Sequence, residues 1–319
     1  MREDLNRDLG LGGIMSQQKQ LRLLNRDGSF NVGRKRTLWS RCTSYHALLT
    51  MPWSRFIAVI ICGYLLANLL FAVVYVLCGP GSLQSSAESN LHSRFLQAFF
   101  FSVETFSTIG YGNTVPVGVL ANIIVTIESL TSLLGFALAT GLVFSRFSRP
   151  VARIMFSDVA VIAPYNGITA FEFRLANTGS NQILELGARV LFSRFEEKDG
   201  VPLRRYYPLN LERDRVAFFP LAWTVVHPID HNSPLYGATQ KDLLAAEAEF
   251  LVLLTGTDET FSQTVHARSS YRGEEIVWNA KFVHVYSGSG GALAVNFDRF
   301  HEVEKMATAA PSFTAPIPF

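Results

Sequence analysis

The sequence predicts an α-helical membrane domain with two spans, followed by an all-β sandwich. Three observations carry this. Charged residues make up only 17% of the 319 residues, against about 25% in an ordinary soluble domain, and the mean hydropathy is positive at +0.21. Residues 56–78 run for 23 positions without a charge, and residues 117–144 contain one ionisable group, Glu128. Beyond residue 158, apolar residues come instead in short β-branched and aromatic runs separated by turn residues.

A helix needs about 20 apolar residues to cross about 30 Å of hydrocarbon, so both long runs span. The second is long enough to tilt and project beyond the bilayer. The first run starts too late and is too long for a signal peptide. Residues 1–55 hold ten Lys and Arg, including Arg34, Lys35, Arg36, Arg41 and Arg55, whereas residues 79–116 hold only Arg94. Arg146, Arg149 and Arg153 follow the second span. This asymmetry predicts cytoplasmic termini and an outer connector. A net charge of +2 argues against nucleic acid as the main partner. Cys42, Cys62 and Cys78 lie in or beside the first span and make no disulfide framework.

The connector carries the strongest signal. Residues 95–106 (FLQAFFFSVETF) are apolar yet too short to cross, which suggests a re-entrant helix. Irregular backbone at membrane depth is tolerated only where protein or a water-filled cavity covers it. Thr108-Ile109-Gly110-Tyr111-Gly112 follows at once. Its glycines can take positive φ, and alternation of hand turns successive carbonyls toward one axis. Alone, Gly-Tyr-Gly reads as a turn; the flanking spans argue against that reading. Glu104, one turn earlier, reads either as a carboxylate behind this loop, accepting from its backbone, or as a charge at the outer rim. Glu128, inside a span, is a functional hypothesis by default, and its position suggests a partner on the re-entrant helix.

On the inner side, β-rich runs at 159–163, 171–175, 184–195, 223–227, 250–254, 276–278, 282–286 and 293–297 suggest a sandwich. Gly288-Ser289-Gly290-Gly291 reads as a hairpin turn. No G-x-G-x-x-G enters a helix, so a nucleotide-binding domain is not supported. No nucleophile–base set emerges, and an enzyme is not expected. His227 and His231 have helical metal-pair spacing, but Pro228, Asn232 and Pro234 make this a turn. Residues 1–30 and 306–319 show no apolar pattern and read as mobile tails.

Span, re-entrant helix, T-I-G-Y-G and span together resemble the pore module of potassium channels, where four loops surround the ion with carbonyl oxygens. FSRFSRP at 144–150, HPIDHNSPLY at 227–236, ARSSY at 267–271, IVW at 276–278 and DRFH at 298–301 resemble the inward-rectifier potassium channels. The likeness runs from about Leu38 to Glu304. The short outer turret and FSRFSRP are similar to the prokaryotic, KirBac-type branch. The resemblance implies a homotetrameric two-span pore with an immunoglobulin-like cytoplasmic sandwich. It also implies passive, selective K+ conduction across a bacterial inner membrane, with K+ as the permeant ion and no cofactor. The implied boundaries are a tail over 1–37, slide helix and pore over 38–150, the sandwich over 151–305 and a tail over 306–319.

The same resemblance assigns residues. Thr108 through Gly112 become the filter, with Glu104 in support. Ser129, Ser132, Phe136 and Thr140 share a face at helical steps and line the cavity. Phe136 stands where strong rectifiers carry an acid, so strong rectification through the cavity is not expected. Phe144 marks the bundle-crossing gate, or alternatively simple helix packing, with Gly135 or Gly141 as possible bends. Glu185 matches an acid of the cytoplasmic pore, although an acid on a strand is often only solvated. Residues 255–264 match the cytoplasmic constriction loop. Leu38, Cys42, Tyr45 and Leu49 form one face of an interfacial slide helix. Arg55, Arg146, Arg149 and Arg153 then lie at headgroup level. There they attract anionic lipid at about 1 kcal/mol per charge, of the phosphoinositide type by the resemblance, or simply anchor topology. Thr114 replaces an Arg that pairs with the filter Glu in eukaryotic relatives, and Cys78 lacks their disulfide partner. The rival class is a non-conducting, membrane-anchored β-sandwich sensor, which has no use for T-I-G-Y-G.

Overall fold

The computed structural model describes residues 22–31, 45–85, 91–148, 152–198, 200–219, 221–289 and 292–306. The chain divides into two compact units, Arg34–Arg149, and Met1–Gly33 with Pro150–Phe319.

The first unit contains α1 (Tyr45–Thr50), α2 (Trp53–Leu77), β1 (Leu83–Ser85), α3 (Leu91–Phe106), β2 (Thr114–Pro116) and α4 (Gly118–Phe147). Pro52 separates α1 from α2, because its ring disfavours helix in the preceding residue and suits a helix start. At 1.5 Å per residue, α2 and α4 are about 37 and 45 Å long, enough to cross hydrocarbon. Both leave large apolar side chains uncovered, among them Leu66, Leu70, Leu77, Leu133 and Leu138. Water would penalise such faces, whereas lipid solvates them. β1 and β2 pair antiparallel, Leu83 against Pro116, closing the connector on itself. The re-entrant helix is α3, seated on a small core of Ala72, Tyr75, Ala98, Phe101 and Ile124. Tyr75 and Phe101 meet edge to face at 5.2 Å.

The second unit runs β3 (Ile154–Phe156), β4 (Ala160–Tyr165), β5 (Ile168–Asn177), β6 (Ile183–Lys198), β7 (Val201–Leu209), β8 (Arg215–Phe219), β9 (Ala222–Ile229), α5 (Gln240–Ala245), β10 (Glu249–Asp258), β11 (Gln263–Arg272), β12 (Ile276–Trp278), β13 (Ala280–Phe282), β14 (Tyr286–Ser289), β15 (Ala292–Val295) and β16 (Val303–Lys305). One sheet orders β12-β4-β5-β3 with β9 also on β5; the other orders β11-β10-β6-β7 with β8 also on β6. Among the described residues, only the β12–β4 pairing in these two sheets is parallel. Inward residues of both sheets interdigitate as a sandwich core. Phe171 stacks on Phe250 at 4.3 Å, and Phe192 lies 4.9 Å from Phe250. β9 alternates half-buried and buried along its whole length, the period of a strand with one face on a core.

Several expectations need correction. The run at 282–286 is not one strand: β13 ends at Phe282 and β14 starts at Tyr286. β14 and β15 do form the expected hairpin, although Gly290 and Gly291 lie outside the described residues. Residues 255–264 are mostly ladder, because β10 and β11 pair down to Asp258 against Gln263. Residues 22–31 are not a tail. Leu23 and Leu24 are almost fully buried on the second unit, and Leu24 bridges Phe30.

Glu249 is the main reason that this segment docks. Its carboxylate accepts the Leu23 and Leu24 amide protons at 3.1 and 3.2 Å, and it pairs with Arg204 at 3.1 Å, both side chains being 2% exposed. Arg22 adds a two-pronged contact to Glu275, each bond 3.0 Å. Removing one partner of a buried ion pair costs about 3–5 kcal/mol. Glu249→Ala should therefore destabilise the second unit by about 3 kcal/mol and release the Leu23 and Leu24 amides to solvent. Hydrogen exchange of residues 22–31, with thermal unfolding of the purified protein, checks this; unchanged protection there contradicts it.

Candidate functional site

Local sequence dictates the loop after α3. The helix ends at Phe106, and Ser107 and Thr108 still bond back to Val103 and Thr105 at 3.0 and 3.1 Å. The Ile109 amide then donates to the Glu104 carbonyl at 2.9 Å. From there the backbone alternates. Thr108 (φ 59°), Gly110 (φ 56°) and Gly112 (φ 78°) are left-handed, and Ile109 and Tyr111 between them are not. The sign of φ therefore alternates along the loop. Glycine takes this hand without penalty. Thr108 is β-branched, and such a residue at positive φ is a strained outlier of the kind that clusters at functional sites. Ile109 and Tyr111 are 51% and 70% exposed, so one chain leaves its own loop uncovered.

α3 presents its carbonyl end to the start of this loop, the negative end of the helix dipole. Glu104 sits in that last turn, an acid where the dipole favours a base. Its side chain is half-buried, and among the described residues the carboxylate makes no hydrogen bond. What joins Glu104 to the loop within one chain is its carbonyl, not the expected carboxylate.

The cavity stripe is placed in part. Ser129, Phe136, Thr140 and Phe144 are exposed on α4, Phe144 by 70%. Ser132 is a correction: it is buried, and its hydroxyl donates to the Phe106 carbonyl. That carbonyl is one of the unsatisfied acceptors at the end of α3, so the edge of the stripe is used to seat the re-entrant helix. Phe106 also packs on Tyr64 at 5.5 Å and Phe136 at 6.3 Å. α4 runs unbroken through Gly135 and Gly141. Glu128 is fully buried and meets Ser102 on α3, as expected, and also Tyr75 on α2.

The arginines fall into different settings. Arg55 is exposed. Arg146 is half-buried; it donates to the carbonyls of Leu48 and Met51 just before α2, and lies 4.6 and 4.4 Å over the Trp53 and Phe56 rings. It thus caps the C-terminal end of α1. Arg153 is exposed at the start of the second unit. Arg149 and the slide-helix residues Leu38 and Cys42 lie outside the described residues; of that face, Leu49 is buried and Tyr45 exposed.

In the second unit, Glu185 is exposed and left-handed at φ 50°, within a bulge where β6 gains a residue on β10. Arg215 approaches its carboxylate at 3.4 Å. Gly256 makes the bulge possible, because a Cβ there would fall 2.6 Å from Ile183 Cγ2. Buried Asp258 holds the β10–β11 turn by accepting from Asn181 and from the Phe261 amide at 3.0 Å. Sequence reading missed both; an Asp–x–x–Phe turn beside a strand is the signal that was available. His227 is buried between the Asn210 carbonyl at 2.6 Å and Ser233 Oγ at 2.8 Å, and burial holds it below the usual imidazole range. Exposed His231 bonds Asn232 instead.

Residues 154–316 match the model of the inward rectifier potassium channel C-terminal domain, and residues 52–149 match the ion channel model. The chain is 42% identical to the inward rectifier potassium channel Kirbac3.1 of Paramagnetospirillum magnetotacticum, over 92% of this chain and 99% of that protein. It is 29% identical to the inward rectifier potassium channel irk-1 of Caenorhabditis elegans, over 92% of this chain and 59% of that one. It is 28% identical to the human G protein-activated inward rectifier potassium channel 3, over 91% and 79% respectively. With one relative matched along nearly its whole length and a family model covering half the chain, this protein belongs to the inward rectifier potassium channel family.

Proposed function

We propose that four copies of this chain enclose a K+ path whose filter is Thr108 to Gly112. The observation that carries this reading is the alternation of hand at Thr108, Gly110 and Gly112. It aims consecutive carbonyls one way, and four such rows replace the water shell of a potassium ion. One copy supplies a quarter of the cage, which makes a closed C4 homotetramer the matching assembly. Glu104 then backs the filter through groups that neighbouring copies bring. The negative end of α3 adds to cation attraction below it.

The inner helices converge on Phe144, whose exposed ring projects from the last turns of α4. Four such rings form an apolar constriction that stops hydrated ions by dewetting. Ser129, Phe136 and Thr140 line the cavity above it. Phe136 offers no charge to a blocking cation, so rectification at this level is weak. Glu185 attracts cations along the cytoplasmic extension of the path. Arg55, Arg149 and Arg153 face anionic headgroups of a bacterial inner membrane, with both termini in the cytoplasm. Arg146, held by the Leu48 and Met51 carbonyls and by aromatic rings, transmits lipid contacts on the slide helix to the gate helix.

Two experiments test this. Gly110→Ala forces a side chain into a left-handed position, at about 1–2 kcal/mol per chain. Because nothing lies within 4 Å of the added carbon, the effect is conformational. Potassium flux in liposomes should collapse while the tetramer persists in detergent; wild-type selective flux would remove Gly110 from the filter. Phe144→Ala should raise basal potassium flux and leave potassium-over-sodium selectivity intact. Unchanged basal flux would move the gate elsewhere.

A further inference from the structure

A buried polar chain ties the three helices of the membrane unit together. Asn68 and Tyr75 come from α2, Ser102 from α3 and Glu128 from α4; each is 0% or 1% exposed. No water reaches them, so their donors and acceptors must match among themselves.

Counting protons decides the state of the chain. Asn68 Nδ2 donates to the Tyr64 carbonyl at 2.8 Å, which fixes the amide and turns Oδ1 toward Ser102 Oγ at 3.1 Å. Ser102 Oγ also contacts Glu128 Oε1. The Tyr75 hydroxyl contacts Glu128 Oε2 at 2.5 Å. A hydroxyl has one proton and an amide oxygen has none. With a carboxylate, the single Ser102 proton faces two acceptors, and one buried oxygen stays unpaired. With a carboxylic acid protonated on Oε1, every contact closes. Glu128 donates to Ser102, Ser102 donates to Asn68, Asn68 donates to Tyr64, and Tyr75 donates to Oε2. A proton on Oε2 would leave Ser102 still facing two acceptors.

We propose that Glu128 is a positioning residue for conduction that works as a neutral hydrogen-bond donor and acceptor. The chain Tyr75–Glu128–Ser102–Asn68–Tyr64 holds α3 against both spanning helices. Through the Glu104 carbonyl and the Ile109 amide it thereby fixes the base of the Thr108–Gly112 loop. The inference rests on potassium conduction, not on where the gate lies. Glutamine is the matching replacement: its oxygen accepts from Tyr75 and its NH2 donates to Ser102, reproducing the neutral acid's pattern.

The test uses the full-length reconstituted channel. Infrared difference spectra of wild type minus Glu128→Gln should show a protonated carboxylic acid carbonyl band that shifts in heavy water. A carboxylate band in its place overturns the neutral state. Potassium flux should stay at the wild-type level in Glu128→Gln. It should fall about tenfold in Glu128→Ala and in Ser102→Ala, the equivalent of about 1.4 kcal/mol, with the tetramer intact on size exclusion. Equal loss in Glu128→Gln and Glu128→Ala would show that a charge is required, and wild-type flux in Glu128→Ala would show that the chain positions nothing. Either result overturns the proposal. Because Ser102→Ala leaves Glu128 in place, flux loss confined to Glu128→Ala also contradicts it.

Discussion

A backbone that alternates hand cannot hold itself. Thr108 to Gly112 makes neither a helix nor a ladder. Among the described residues its backbone bonds to α3 are two, from the Thr108 amide to the Thr105 carbonyl and from the Ile109 amide to the Glu104 carbonyl. Strained residues persist only where their surroundings over-determine them. The seat of α3 is therefore the constraint on which the membrane unit depends, and the sequence invests its few buried polar groups there. Ser132 takes the Phe106 carbonyl, while Ser102, Glu128, Tyr75 and Asn68 bind α3 to both spans. Each of these groups would be costly inside hydrocarbon without its partners. Specific hydrogen bonds thus locate the helix where apolar packing alone is permissive.

The second unit solves a different problem. Its sandwich core is apolar and aromatic, but the long β10–β11 ladder needs cover on its far side. Residues 22–31 supply it, with Leu23 and Leu24 as apolar contacts and Glu249 as the acceptor for their amides. Arg204 balances the Glu249 charge. A segment from near the beginning of the chain is thus part of the fold formed by residues far along it. At the other end of β10, the Gly256 bulge gives β6 the extra residue that turns Glu185 out of the ladder.

Much of this was legible in the sequence because the signals were local. Apolar length gave the spans, a run too short to cross gave α3, and paired glycines around Tyr111 gave the alternating backbone. The intramembrane acid Glu128 announced a partner on α3. What escaped was set by partners distant along the chain. Ser132 shares a helical face with the cavity residues, and only the position of the Phe106 carbonyl turns it inward. Leu23 and Leu24 stand among polar residues and look like a tail, since Glu249 and Ser270 lie more than two hundred residues away. β7 carries Pro202, Arg204, Arg205 and Pro208, so its composition hides a strand that pairing on β6 imposes. The 255–264 segment reads as a loop only through the family resemblance, and Gly256 serves a bulge beside a continuous β10–β11 hairpin.

Diffraction from crystals of the assembled channel grown with thallium in place of potassium would locate the ions of the filter. Thallium mimics potassium and scatters anomalously. A row of anomalous peaks should lie on the fourfold axis, each caged by carbonyl oxygens between Thr108 and Gly112, with the lowest also touched by the Thr108 hydroxyl. Peaks held by side-chain carboxylates away from that row, or none along it, would contradict a filter built from the alternating backbone.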